Sequence, residues 1–346
     1  MQFAFTEDQL AITDAAREML VEACSPADLR RLLDSGEEID SARWRTIVEM
    51  GLLGMLAPED AGGMGLAASD LVGIAEAAGY VALPEPLAVQ AGVVVPLLAG
   101  LADDRGWLAR VIGGAPVAVA APGQALVEGA DRADALLLVD GDAIHLIERD
   151  AVTVERVESI DPFRRLFRVD WTPTNATRIG EGWQDTADRG ALIAAAQLIG
   201  LGQRCIDLAV AYAKERTQFG KAIGSYQAVK HLLASAQVRI EFARPVVHAA
   251  AAELPLGTLA SRARIAHAKI AAGEAADLAA RTAVQVHGAM GMTWEVDLHL
   301  YLKRALALRQ AWGTPAVHRA TVIDRITTLP TGPATTFASE LVGAAA

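Results

Sequence analysis

The chain has 346 residues, of which 52% are hydrophobic and 21% charged, and carries a formal net charge of −11. That apolar content excludes a disordered chain, and the length allows one large domain or two to three smaller ones, each with an ample core. An acidic chain without a long Lys/Arg cluster is a poor binder of nucleic acid and of anionic membranes, since both depend on neutralising phosphates.

Residues 1–112 read as helical. Thr6 is a candidate N-cap, followed by Glu7 and Asp8 in a first turn, and Ile12, Ala15, Ala16 and Met19 recur at helical spacing. A second helix over about 41–50 runs into GLLGMLAPEDAGGMGL (51–66), whose glycines and Pro58 require a loop. A helix near 69–79 follows, then Pro84, Pro86 and another apolar helix.

The period changes between 113 and 182. VAVAA (117–121), ALLLV (135–139), AIHLI (143–147), AVTVERV (151–157) and LFRVDW (166–171) are short β-rich runs, with Gly141-Asp142 predicting a hairpin between two of them. The expectation is a small antiparallel barrel or sandwich inserted in a helical protein.

Helix returns over 183–330. Leu192, Ala195, Ile199, Gly202, Ile206, Ala209 and Ala213 form one apolar stripe, and Val229, Leu233, Ala236, Ile240, Ala243 and Val247 another. Two more helices, over about 261–286 and 295–309, complete the expectation of an antiparallel four-helix bundle. Residues 331–346 form a Thr/Pro/Ala-rich tail. The fold class is therefore α+β, in the order helical domain, β-domain, bundle.

Cys24 and Cys205 lie far apart with no C-x-x-C spacing, which reads as reduced thiols. The start MQFAFTEDQL is no signal peptide, and apolar runs such as 191–201 are too short and Ala-rich to span a bilayer. The expected location is the cytoplasm.

Three segments carry chemistry. In KERTQFGKAIGSYQAVKH (214–231), Arg216 offers a bidentate fork for a pyrophosphate, Gly220 allows close backbone approach, and Gln227 can bond a nucleotide. An ordinary helix–loop–helix corner explains the same residues. In QVHGAMGMTWEVDLHLYLKRA (285–305), a helix end and a Gly-rich turn precede a helix that Thr293 is placed to cap. His287 has no second His or Cys at metal spacing, so no metal is expected. In LRQAWGTPAVHRATVIDRI (308–326), Thr314 is either an N-cap or a cofactor contact.

Together these segments resemble the acyl-CoA dehydrogenase family. ERTQFGKAIGSYQAVKH is similar to the family's ERxxFGxxIxxxQxxxH element, QVHGAMGMTWE to its QxxGGxGxTxE element, and 51–66 to its N-terminal loop. The resemblance implies an FAD enzyme that desaturates an acyl-CoA thioester at α and β and passes electrons to an electron-transfer flavoprotein. It also implies that Arg216, Thr217, Gln218 and Phe219, with Tyr226, Gln227, Gln285, Val286, His287, Gly288 and Ala289, meet the FAD of a neighbouring subunit. Thr314 matches a threonine that touches the flavin of its own subunit. Ala289 replaces a usual glycine.

The resemblance fails where the reaction needs it most. The family's base is the Glu of a YEGTxxIQ-like element, where this chain has AWGTPAVH: Trp312 takes the place of the Glu and Ala316 that of the glutamine. An indole cannot accept a proton. The alternative base position, on the first bundle helix, is Gly190, or Arg189 with a one-residue slip. Asp188 and Asp185 are near it and are candidate substitutes, or else solvent-facing acids preceding a helix. The flavin-cradling TEPxxGSD element is also missing, since VAVAA leads to PGQALVEGA (122–130). A kept bundle half-site beside a degraded flavin and base half-site resembles the shortened subunit of heterotetrameric bacterial acyl-CoA dehydrogenases of steroid and other bulky acyl-CoA degradation. Three alternatives stay open: a self-sufficient dehydrogenase with a displaced base such as Asp188, a flavin monooxygenase or oxidase, and a structural subunit without flavin.

Overall fold

The computed structural model describes residues 5–37, 39–101, 105–120, 126–254 and 257–330. The N-terminal helices are α1 (Glu7–Ala23), α2 (Pro26–Ser35), α3 (Ser41–Glu49), α4 (Ala68–Tyr80), α5 (Leu87–Val89), α6 (Val95–Ala99) and α7 (Trp107–Ile112). Thr6 caps α1, accepting from the Gln9 amide at 3.2 Å while the Gln9 side chain accepts from the Thr6 amide. Helix α2 falls where the sequence reading had no element. Its signals are nevertheless local: Ser25 and Asp28 form a reciprocal capping box around Pro26 at the first helical position.

Seven strands follow: β1 (Val117–Val119), β2 (Val127–Glu128), β3 (Ala135–Asp140), β4 (Ala143–Glu148), β5 (Thr153–Val157), β6 (Leu166–Asp170) and β7 (Arg178–Glu181). They form a four-stranded sheet, β1-β3-β4-β7, and a three-stranded sheet, β2-β6-β5. The predicted hairpin at Gly141-Asp142 joins β3 to β4. The expectation of a purely antiparallel domain does not hold, because β1 pairs with β3 in parallel. That pair lies where the first sheet is buried on both faces. Leu136, Leu138 and Ile147 face the second sheet, with Phe167 and Val152. Ala135, Leu137, Ile144 and Leu146 face the helices, with Leu98, Trp107 and Trp183. A strand covered on both sides reads as a continuous apolar run, which is why 135–139 lacks alternation.

The bundle consists of α8 (Trp183–Glu215), α9 (Gln227–Ala251), α10 (Leu259–His287), α11 (Leu298–Gln310) and α12 (Pro315–Thr328), with a two-stranded ribbon, β8 (Thr217–Gln218) and β9 (Lys221–Ala222), between α8 and α9. Helix α8 is 33 residues long, well beyond the 191–201 run. Its length and apolarity are enough to cross a membrane, but 67% of its apolar window is buried inside the fold, as in a core helix. One contact ties all three regions together. The Arg304 guanidinium of α11 pairs with the buried Asp161 carboxylate of the β-domain and donates to the Leu83 carbonyl of the helical domain at 3.0 Å. Removing one member of a buried pair leaves the other charge uncompensated. Arg304→Ala is therefore expected to cost about 3–5 kcal/mol in urea unfolding, while Arg304→Lys, which keeps the charge, should cost less.

Candidate functional site

Helix α8 carries a different part of the site at each end. At its C-terminal end Arg216 is the C-cap, its amide donating to the Tyr212 carbonyl at 2.8 Å. The ribbon then projects from the bundle. Thr217 pairs with Ala222 and Gln218 with Lys221, and Phe219 and Gly220 both take positive φ, 53° and 79°, at the tip. Two consecutive left-handed residues are what a tight hairpin turn requires. The segment is thus a built ribbon and not an ordinary corner. Arg216, Thr217, Gln218 and Gly220 are exposed, and Phe219 is 93% exposed. Among the described residues Arg216 has no ion-pair partner, so its fork is available to an anion. Tyr226 braces the ribbon by donating to the Gln218 carbonyl at 3.2 Å, and the Lys221 ammonium lies 4.2 Å from the Tyr226 ring centre. Gln227 starts α9 and is exposed.

The end of α10 joins this region. His287 is buried, stacks on Tyr212 with ring centres 4.3 Å apart, and donates from Nδ1 to the Ala283 carbonyl at 2.7 Å. It is a satisfied structural histidine that ties α10 to α8. Val286 is buried, whereas Gln285, Gly288 and Ala289 are exposed. Thr293 does not cap α11, contrary to the reading from sequence. Its hydroxyl donates to Met290 at 2.9 Å and accepts from Glu295 at 3.3 Å, closing the turn, and α11 begins later, after Asp297.

At the N-terminal end of α8, Gly190 meets Trp312, in the turn between α11 and α12. A Cβ added at Gly190 would lie 2.1 Å from Trp312 Cδ2 and 2.2 Å from Cε3, so the indole rests directly on the glycine. Trp183 stacks on the same indole, 6.4 Å between centres and 21° between planes. The two positions that the resemblance matches to the family's base therefore touch, and neither bears a carboxylate. Trp312 has φ 58°, which a bulky residue rarely adopts. The turn is held from below. The His318 Nε2–H donates to the Trp312 carbonyl at 3.1 Å, and Gly313 at φ 102° leaves room for that ring, since a Cβ there would sit 2.8 Å from Nε2. Lys269, only 3% exposed, donates from Nζ to the Leu308 and Arg309 carbonyls at 2.7 and 3.2 Å, the last turn of α11. Burial pulls Lys269 down to about 7 and His318 to about 4, the latter helped by the Lys269 charge. Thr314 caps α12, accepting from the Val317 amide at 3.4 Å, and is exposed.

Asp188 and Asp185 lie inside α8 and not before a helix. Asp185 is exposed in the first turn. Asp188 is not solvent-facing: it is 3.5 Å from Arg262 of α10 and accepts from the Gln184 amide at 3.1 Å, with burial raising it to about 6. Two residues along a helix turn the side chain by about 200°, so Asp188 and Gly190 look in nearly opposite directions. Residues 121–125, at the start of the expected flavin loop, lie outside the described residues, as does the tail 331–346. Sequence reasoning missed Trp183, Lys269 and His318. Only Trp183, an aromatic directly after Gly182 at a helix start, carried any local signal.

The helical domain, β-domain and bundle define the class of the protein, and comparison with known proteins agrees. Residues 6–112 match the family described as "Acyl-CoA dehydrogenase, N-terminal domain" and residues 180–327 "Acyl-CoA dehydrogenase, C-terminal domain". The acyl-CoA dehydrogenase IpdE2 of Mycolicibacterium smegmatis is 34% identical over 312 residues, 90% of this chain and 96% of its own length. Among solved structures, the ChsE4-ChsE5 complex from Mycobacterium tuberculosis contains a chain that superposes with a TM-score of 0.82 at 23% identity, covering 96% of this chain and 100% of that one. The Tcur3481-Tcur3483 steroid ACAD G363A variant gives 0.81 at 25% identity, covering 93% and 98%. The chain belongs to the acyl-CoA dehydrogenase family, oxidoreductases that act on acyl-CoA and use FAD.

Two expectations follow from the Trp312 turn. Below its ordinary 6.5, His318 is protonated in the unfolded chain while the folded chain keeps it neutral. Stability is therefore lost as pH falls from about 6.5 toward 4, by up to about 3 kcal/mol, and His318→Gln should flatten that part of a pH series of thermal melts. Gly190→Ala should destabilise by about 1–3 kcal/mol through overpacking, and the cost should shrink in a Trp312→Leu background, as a double-mutant cycle would read out.

Proposed function

We propose that this chain is the partner subunit of a hetero-oligomeric acyl-CoA dehydrogenase, which desaturates an acyl-CoA thioester using a base supplied by the other subunit. The observation that carries the reading is the separation of the two parts of the site. About 40 Å of helix α8 separates the exposed Arg216 ribbon from Gly190 against Trp312. One FAD cannot meet both, so the ribbon serves a cofactor held on a different chain. The residues at the ribbon fit that task. Arg216 presents a fork to phosphate, Gln218 and Gln227 present amides, and the adjoining turn offers the exposed backbone of Gly288 and Ala289. At the other end neither Gly190 nor Trp312 offers a proton acceptor, and Asp188, engaged with α10, faces away from them.

Arg216, Gln218, Gln227 and the Gly288–Ala289 backbone would hold part of the FAD, which would supply a hydride acceptor for the β-hydrogen. The α-proton goes to the partner subunit's carboxylate, and the electrons leave to an electron-transfer flavoprotein. The neighbours whose names join two subunits, ChsE4-ChsE5 and Tcur3481-Tcur3483, support a paired assembly. The description of the latter as a steroid ACAD supports a bulky, ring-derived acyl group as substrate.

Co-purification from the native host should give one FAD per two different chains. The chain alone should hold little FAD and show no acyl-CoA dehydrogenase activity. Arg216→Ala in the complex should weaken FAD by about 10–100-fold, the worth of a charge-assisted contact. A fully active homo-oligomer with Trp312 intact overturns the reading.

A further inference from the structure

We infer that Trp312 is a fixed internal stopper, seated on Gly190 and Trp183, that fills the place where a thioester would react in this chain. The inference rests on the reading of positions 312 and 190 as the two base positions. A base acting from either must reach the same α-carbon, so the point where they converge is where that carbon would lie. In this chain that point holds an indole. The Gly190 Cα leaves no space beneath it, because a Cβ would fall 2.1 Å from the ring. Trp183 covers it at 21°. The indole also packs against both hydrophobic clusters that meet there, the bundle core and the core beneath the first sheet.

Two further observations separate a stopper from an ordinary core aromatic. The backbone of Trp312 is held in the left-handed region, and such outliers persist where surrounding contacts over-determine them. Here His318 grips its carbonyl and Lys269 the preceding helix end. On the stacked neighbour, only 4% exposed, the Trp183 indole N–H is buried with no acceptor among the described residues. Buried donors of this kind are rare and need an explanation. That unsatisfied donor belongs to the ring stacked against Trp312. The chain thus lacks a reaction of its own for a steric reason as well as a chemical one.

The test compares the full-length chain with Trp312→Ala, using butyryl-CoA and indole as probes in titration calorimetry, with FAD content measured alongside. Trp312→Ala is expected to bind one butyryl-CoA per chain at least tenfold more tightly than the unchanged protein does, with indole competing. Indole binding reports that the variant is folded, and Trp312→Leu replaces it should Trp312→Ala fail to fold. Saturable binding of one butyryl-CoA per chain by the unchanged protein overturns the inference, as does a variant that takes indole but no butyryl-CoA. FAD stoichiometry, set at the other end of α8, reads the paired-subunit proposal separately.

Discussion

Helix α8 is a rod about 50 Å long, buried along most of its length, and it sets the distance between everything else of functional interest. A helix of this kind does not bend to bring its ends together, because each turn is hydrogen-bonded and its apolar stripe is packed against α4, α9, α10 and α11. The ribbon at Arg216 and the closed corner at Gly190 are therefore independent in space although they share one element. A chain that serves a cofactor from one end can lose the chemistry at the other without disturbing the service. Arg304 completes the frame by fastening the helical domain and the β-domain to the bundle through Leu83 and Asp161.

Much of this frame was legible from local pattern. The capping box at Thr6, the hairpin at Gly141-Asp142 and the two apolar stripes each depend on residues within a few turns of one another. What was not legible depends on tertiary contact. The parallel pairing of β1 with β3 has no sequence signature separate from antiparallel pairing when both runs are short and apolar. Helix α2 is a different kind of miss, since Ser25, Pro26 and Asp28 state it openly. Thr293 was read as a cap because a hydroxyl between a glycine turn and a helix is the commonest such signal. The helix begins five residues beyond Thr293, and the hydroxyl closes the turn instead.

The site shows the same division. ERTQFG and QVHG were readable as elements, and the structure presents their outward residues on one end of the bundle. The meeting of Gly190 with Trp312 was not readable, since each position taken alone marks only an absent acid. Lys269 and His318 were invisible for another reason. A lysine on a helix is ordinarily solvated and a lone histidine is uninformative, and only the fold reveals that both brace one turn.

The contact between Gly190 and Trp312 also has a historical meaning. A glycine accepts a ring only while it stays a glycine, and the ring holds its seat only while the glycine remains. No single substitution can put an acid at 190 beneath the indole, so an acid there needs a second, coordinated change at 312. Side-chain packing here acts as a ratchet: each of the two residues limits what the other position can tolerate.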